Sequence, residues 1–293
     1  MLGAVALLLR FMQYAFVIGK DGFFAISGIP SRVLAESVYV VLAIALVLAL
    51  VVFLQKPKVQ ADFDEIAQAN SIGYLFIGVA SMLMILSGVF VSSASFNVRL
   101  PIDHTQIPNV LKLLLCLFGI LSAIFFALLG VKQLSAKQTK VPQALGVFPP
   151  IYFALLGVYE FFVSLNRAGQ SNTKLFMVST CTIALFSMSL SLAFCKAEVF
   201  RSRVIACVGI MVVATSATGL PFIIVTLLGN VAFDTSLLVQ AIIHVLFMVI
   251  AYVVLIRLIY SKYQPKYQPE PTKNEPLNIF LNEIPDENGG NDE

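Results

Sequence analysis

The sequence predicts an all-α fold, a polytopic bundle of transmembrane helices. Of its 293 residues, 59% are hydrophobic and 12% are charged, with a mean hydropathy of +0.91. An ordinary soluble domain is roughly 45–50% apolar and about 25% charged, so this chain has too few polar groups to cover its own surface. Its apolar residues are gathered into runs of about 20, the length a helix needs to cross the hydrocarbon slab. Short polar links such as KQLSAKQTKVP and NRAGQSNT separate the runs. Seven spans are expected, near 35–55, 71–92, 110–131, 143–165, 174–195, 204–228 and 237–259.

Residues 1–34 stand apart. AVALLLRFMQYAFVIG is apolar but short, and at helical spacing Gly3, Arg10, Gln13 and Tyr14 share one narrow face. Such an amphipathic segment lies in the interface or tucks against the bundle; the alternative is an eighth span. MLGAVALLLR lacks a basic stretch ahead of its apolar run, so no cleaved signal peptide is expected. KDGFFAISGIPSR reads as a loop from its Gly, Ser and Pro. The bundle itself is expected over 35–260.

After the first span, KPKVQADFDEIAQAN carries Asp62 and Glu65 in a D-x-x-E pattern, the signature of a helix start running into the second span. The third span has Gly119, Ala123 and Ala127 four apart, with Gly130 behind, a small-residue face that lets helices approach closely. The fourth, GVFPPIYFALLGVYEFFVSL, contains Pro149, Pro150 and a lone acid, Glu160. The sixth contains ATSATGLP at 214–221, with Pro221 and three hydroxyl residues beside it. An interior proline removes a backbone hydrogen bond. In a membrane the freed carbonyls need partners in the protein, here Thr215, Ser216 and Thr218. Broken helices line many transporter sites, although a simple kink accounts for the same prolines. The seventh span carries Gln240, His244 and Met248 four apart on one face.

Ionisable groups inside a bilayer are costly and by default mark function. Alternate spans run in opposite directions, so the end of the fourth span and the start of the seventh lie on one side. Glu160, about 7–8 Å from its span's end, and His244, about 10 Å into its own, are then at similar depth. Thr180 and Thr182 of the fifth span and Pro221 of the sixth fall in the same slab, and Gln240 and Thr218 join them as candidate binding residues. A polar cluster enclosed by these spans, with Glu160 and His244 in direct or water-bridged contact, is the expectation, and such a pair would respond to pH. The plainer reading is a glutamate reaching the headgroups and a histidine satisfied by a carbonyl.

Several function classes are disfavoured. There is no GxxxxGK[ST] phosphate loop and no HExxH, and only two histidines, His104 and His244. The last span has no lysine for a retinal Schiff base, and neither DRY, NPxxY nor a GxSG turn occurs. The four cysteines form no CxxC pair and lie in or beside apolar runs. No cofactor, metal or nucleic acid is expected, and no enzymatic signature stands out. Residues 261–293, rich in Pro, Asn and acids, read as a disordered tail, within which LNIFLNEI is a candidate docking segment. The partners implied are the lipid bilayer and a small solute or a protein. Two functions remain open: binding or movement of a small solute, and a structural subunit that recruits a partner through its tail.

RFMQYAF, then GKDGFF, then a long apolar span resembles the N-terminal pattern of uncharacterised multi-pass membrane proteins of Gram-positive bacteria. The likeness covers about the first 55 residues. It implies a bacterial cell membrane and carries no activity.

Lysine and arginine accumulate on the cytoplasmic side. One set of links with the tail holds Lys56, Lys58, Lys132, Lys137, Lys140, Lys196, Arg201, Arg203, Arg257, Lys262, Lys266 and Lys273, twelve in all; the other set holds Arg10, Lys20, Arg32, Arg99, Lys112, Arg167 and Lys174, seven. The tail is therefore expected in the cytoplasm. A cysteine introduced at Lys137 should react with an impermeant thiol reagent only after cells are opened. Labelling of intact cells would invert the orientation.

Overall fold

A computed structural model describes residues 1–19, 23–25, 28–55, 60–61, 66, 71–86, 109–134, 141–166, 171–195, 197, 199–229 and 235–260. Among these the fold is all-α, and the β pairing is limited to two isolated bridges, Ile18 with Phe24 and Gln60 with Phe200. The helices are α1 (Leu2–Phe16), α2 (Ile29–Leu54), α3 (Ser71–Leu86), α4 (Asn109–Leu134), α5 (Phe148–Asn166), α6 (Ser171–Phe194), α7 (Arg201–Leu227) and α8 (Thr235–Tyr260). A 3₁₀ turn, Gln143–Val147, leads into α5. The seven expected spans correspond to α2–α8. Among the described residues six helical stretches are long and apolar enough to cross a membrane; α3, at 16 residues, is a shorter apolar helix. The chain is an integral membrane protein by this criterion. Residues 87–92 of the second expected span, Asp62, Glu65 and the expected tail 261–293 lie outside the described residues.

The surface is what a bilayer demands. Val40, Ile44, Val47, Leu48 and Val51 of α2 point outward, while Ser81, Ser122, Ser179 and Ser187 are fully buried. Lipid tails are as apolar as leucine, so close packing and internal hydrogen bonds hold the helices together. α7 is the hub, packed against α1, α2, α6 and α8, and most of its length is buried. A second assembly of α3, α4, α5 and α8 meets around Phe126, which touches the rings of Tyr74, Phe125, Phe153 and Phe247.

Two boundaries differ from the sequence expectation. α2 begins at Ile29, six residues before the expected span. Gly28, at φ 146°, takes a turn that side-chain-bearing residues avoid, and Pro30 follows in the first turn, where its missing N–H costs nothing. Pro149 and Pro150 were expected as a break within the fourth span. They stand instead in the first turn of α5, where the 3₁₀ turn hands over to α-helix. First-turn N–H groups have no intrahelical acceptor, so two prolines are tolerated there without a kink. Pro221 does lie inside a helix, but α7 continues through it from Arg201 to Leu227.

α1 packs against α2 and α7 along Gly3, Ala6, Arg10, Gln13 and Tyr14. The face read from the sequence is the buried one. At the α2 C-terminal end, the Ala61 N–H donates to the Val199 carbonyl at 2.7 Å. That bond ties the link after α2 to the link before α7, so both emerge on one side of the bundle, as the charge count requires.

Small residues set the closest approaches. A Cβ on Gly78 would come within 2.8 Å of the Ala123 carbonyl oxygen and the Ala127 nitrogen. On Gly130 it would come within 2.7 Å of the Ser71 carbonyl oxygen. The small face of α4 thus packs on α3, and Gly78 is its counterpart. Gly78→Val should destabilise the bundle by about 1–3 kcal/mol through overpacking against backbone, read as a lowered unfolding midpoint in detergent. An unchanged midpoint would mean that α3 and α4 are not in close contact.

Candidate functional site

Four helices each bring polar side chains to one place. Thr180 of α6 donates from its hydroxyl to Glu160 Oε1 of α5 at 2.9 Å, and Thr180 Oγ1 itself lies 3.2 Å from His244 Nε2 of α8. The other ring nitrogen, Nδ1, lies 3.1 Å from Thr218 Oγ1 of α7. Thr218 also reaches Ser179 Oγ at 3.3 Å. The result is one chain of contacts: carboxylate, hydroxyl, imidazole, hydroxyl, hydroxyl. Glu160, Thr180, Thr218 and His244 are each no more than 5% exposed.

The helix ends explain the shared depth. Thr180 and His244 stand nine positions after Ser171 and Thr235, where their helices begin, and Thr218 nine before Leu227, where its helix ends. Each is therefore roughly 13 Å in from the same side. Glu160, six positions before Asn166, reaches the others with its longer side chain. Close helix contacts make the meeting possible. A Cβ on Gly219, beside Thr218, would come within 2.7 Å of the Ala241 carbonyl oxygen, and one on Gly157 within 3.1 Å of Cys181 Sγ.

Glu160 and His244 are thus joined through Thr180 rather than directly, and neither points to lipid or headgroups. Thr182 does not join them. Two positions from Thr180, it faces elsewhere on α6 and donates to the Ser179 carbonyl at 2.7 Å. Gln240 is buried one turn from His244, but among the described residues its amide nitrogen has no hydrogen-bond partner, and neither has Glu160 Oε2. Around Pro221, Thr215 bonds the Met211 carbonyl at 2.6 Å and Thr218 reaches those of Ala214 and Thr215 at 3.2 Å. These carbonyls belong to the turns before the proline. The carbonyl that Pro221 leaves without its usual N–H is that of Ala217, so the hydroxyls do not repair the break as expected. Among the described residues the buried Ser216 hydroxyl has no hydrogen-bond partner.

A second polar cluster lies nearer the same side. Arg10, 1% exposed, donates to Gln13 Oε1 at 2.6 Å and to Asn172 Oδ1, which also accepts from the Tyr14 hydroxyl. Its guanidinium lies 4.7 Å from the Tyr14 ring centre. Gln13 in turn donates to the carbonyls of Leu34 and Ala35 at 2.8 and 3.1 Å. This network locks α1 to the starts of α2 and α6. Asn172, Phe176 and Thr180 are four apart on α6, and Phe176 separates the two clusters. Its ring stacks on the His244 imidazole, centres 4.9 Å apart and planes at 28°, and meets Phe222 edge-on at 5.6 Å. Sequence reasoning missed Asn172, Phe176 and Ser179, although the four-residue spacing of the first two with Thr180 was there to be read.

A cavity of about 350 Å³ opens elsewhere, among Leu2, Ala45, Val52, Ala206, Val212 and Tyr252. None of the cluster residues lines it. No family model, curated protein or solved structure matches this chain.

Asn172→Leu should destabilise the fold by about 1.5–3 kcal/mol, because a buried guanidinium and a phenol lose their shared acceptor. Asn172→Asp should retain the fold, since it supplies a carboxylate in the same place. Denaturation of the detergent-solubilised variants decides between them. Equal stability of Asn172→Leu and wild type would show that the network does not hold α1.

Proposed function

We propose that this integral membrane protein binds or moves a small solute, and that the Glu160–Thr180–His244–Thr218 cluster is its working site. One observation carries the reading: four consecutive helices each place a polar side chain at one depth in the membrane-embedded interior. Buried ionisable groups in a bilayer are expensive, and packing alone does not require them. Membrane sites for solutes and ions are commonly built from several helices where one of them is interrupted, and here Pro221 lies three residues from Thr218. Gln240 Nε2 and Glu160 Oε2, a donor and an acceptor without partners, add unspent binding capacity. A cell-membrane location with the tail in the cytoplasm, following the Lys and Arg distribution, belongs to this reading.

The purified full chain in liposomes, screened against a panel of labelled small solutes, tests it. Uptake or retention of at least one solute is expected. Glu160→Gln and His244→Gln should each lower it by at least tenfold, while Glu65→Gln in the link leaves it intact. Failure of the wild type across the panel, or undiminished uptake by both cluster variants, would overturn the reading.

A further inference from the structure

We propose that Glu160, Thr180 and His244 form a single proton-loading site, in which the Thr180 hydroxyl passes one proton between carboxylate and imidazole. The inference rests on the reading above that this cluster is the working site, and it names the ion that site takes.

The geometry of one hydroxyl carries the argument. Thr180 Oγ1 lies 2.9 Å from Glu160 Oε1 and 3.2 Å from His244 Nε2. A hydroxyl has one proton to donate and lone pairs to accept, so it must donate to one of these atoms and accept from the other. In the first arrangement the imidazolium Nε2–H donates to Thr180, and the Thr180 O–H donates to the carboxylate. In the second the carboxylic acid O–H donates to Thr180, and the Thr180 O–H donates to neutral Nε2. Passing from first to second breaks the Nε2–H bond and forms a bond from that proton to Thr180 Oγ1. The proton Thr180 already carried moves to Glu160 Oε1. Atom and proton counts are unchanged, and no oxidant or reductant is involved.

Thr218 makes the load visible to the helices. In both loaded arrangements Nδ1 carries a proton and donates to Thr218 Oγ1, 3.1 Å away. The Thr218 hydroxyl then donates to the Ala214 or Thr215 carbonyl of its own helix, each at 3.2 Å. Loss of one proton leaves a carboxylate and a neutral imidazole. The bond from Nε2–H through Thr180 to the carboxylate keeps the remaining ring proton on Nε2, and Nδ1 becomes an acceptor. Thr218 must then turn its proton from the α7 backbone to the α8 imidazole. This exchange happens three residues before Pro221, where α7 already lacks an internal bond. Proton release therefore removes the Thr218 bond within α7 and reverses the direction of the one between α7 and α8.

The surroundings favour a proton over a larger ion. The four side chains are buried, and Phe176 covers one face of the imidazole. Other ionisable neighbours are few. Cys181 on α6 and Tyr152 on α5 lie within electrostatic reach of Glu160. α7 faces the cluster with Thr218, whereas Ser216 lies toward Gly3 of α1, and α8 adds the uncharged Gln240. From α1, Tyr14 lies in the apolar group with Phe176 and Phe222, while Arg10 is held by Gln13 and Asn172. α3, which packs on α8, contributes Tyr74, stacked on Phe126. Cys116 of α4 lies within electrostatic reach of Tyr152.

The test follows both ends of the relay in the full chain reconstituted in nanodiscs. Infrared difference spectra against pH report the protonated Glu160 carboxyl, assigned with Glu160→Gln. ¹⁵N resonances report His244, with His104→Gln removing the other histidine. In wild type the two signals should change together, with one midpoint and the loss of one proton in total. Thr180→Val should split them into two midpoints at least one pH unit apart, and Thr180→Ser should restore the single one. Independent titration in wild type, the absence of any titration between about pH 4 and 10, or a common midpoint that survives Thr180→Val would each overturn the proposal. The wild-type measurement stands even if Thr180→Val fails to fold. Solute uptake that is indifferent to an imposed pH gradient would sink the proton assignment and leave the solute reading standing. Joint titration without uptake of any solute would do the reverse.

Discussion

Inside a bilayer a polar group has no water to fall back on, so every carboxylate, imidazole and guanidinium must find its partners within the protein. The packing of this bundle follows that requirement at two places. Glu160 is satisfied on one oxygen by Thr180, which also serves His244, which in turn meets Thr218. Because each member comes from a different helix, α5–α8 are held in one register. A helix sliding by one turn would move its side chain about 5.4 Å and break the chain of contacts.

The same requirement explains α1. An arginine on a 15-residue apolar helix would be a liability against lipid. Here it faces inward onto Gln13, Asn172 and the Tyr14 ring, and Gln13 reaches carbonyls near the start of α2. That polar clamp places α1 against the α7 hub. Apolar contacts of Ala6 with the cluster of Val38, Leu42, Val213 and Ala217 fill the rest of the interface. Phe176, between the two polar clusters, keeps their networks separate while touching His244 directly.

Close backbone approach is the other enabling condition. Hydrogen bonds of about 3 Å between short threonine side chains and a histidine require helix axes nearer than bulky residues permit. Gly219 against Ala241 supplies this for α7 and α8, and Gly157 against Cys181 for α5 and α6. These glycines are needed for what their absent side chains let the neighbouring helix do.

Hydrophobic run length, which needs no tertiary information, determined the class, the seven expected spans and most of their bounds. Helical periodicity identified the buried face of α1, and alternating span direction with helical rise identified the shared depth of Glu160, His244 and Thr180. What periodicity could not supply was which way each helix turns about its own axis, because these helices are apolar on nearly every side and no polar face marks the exterior. Thr182 was therefore grouped with Thr180 although two positions on a helix point apart, and the partners Asn172, Phe176 and Ser179 went unread. The prolines show the same division. Composition marks Pro149, Pro150 and Pro221 alike as interruptions. Only the tertiary structure decides that the first two begin a helix, where a missing N–H is harmless, while the third leaves the Ala217 carbonyl without its usual donor in the middle of the most buried helix.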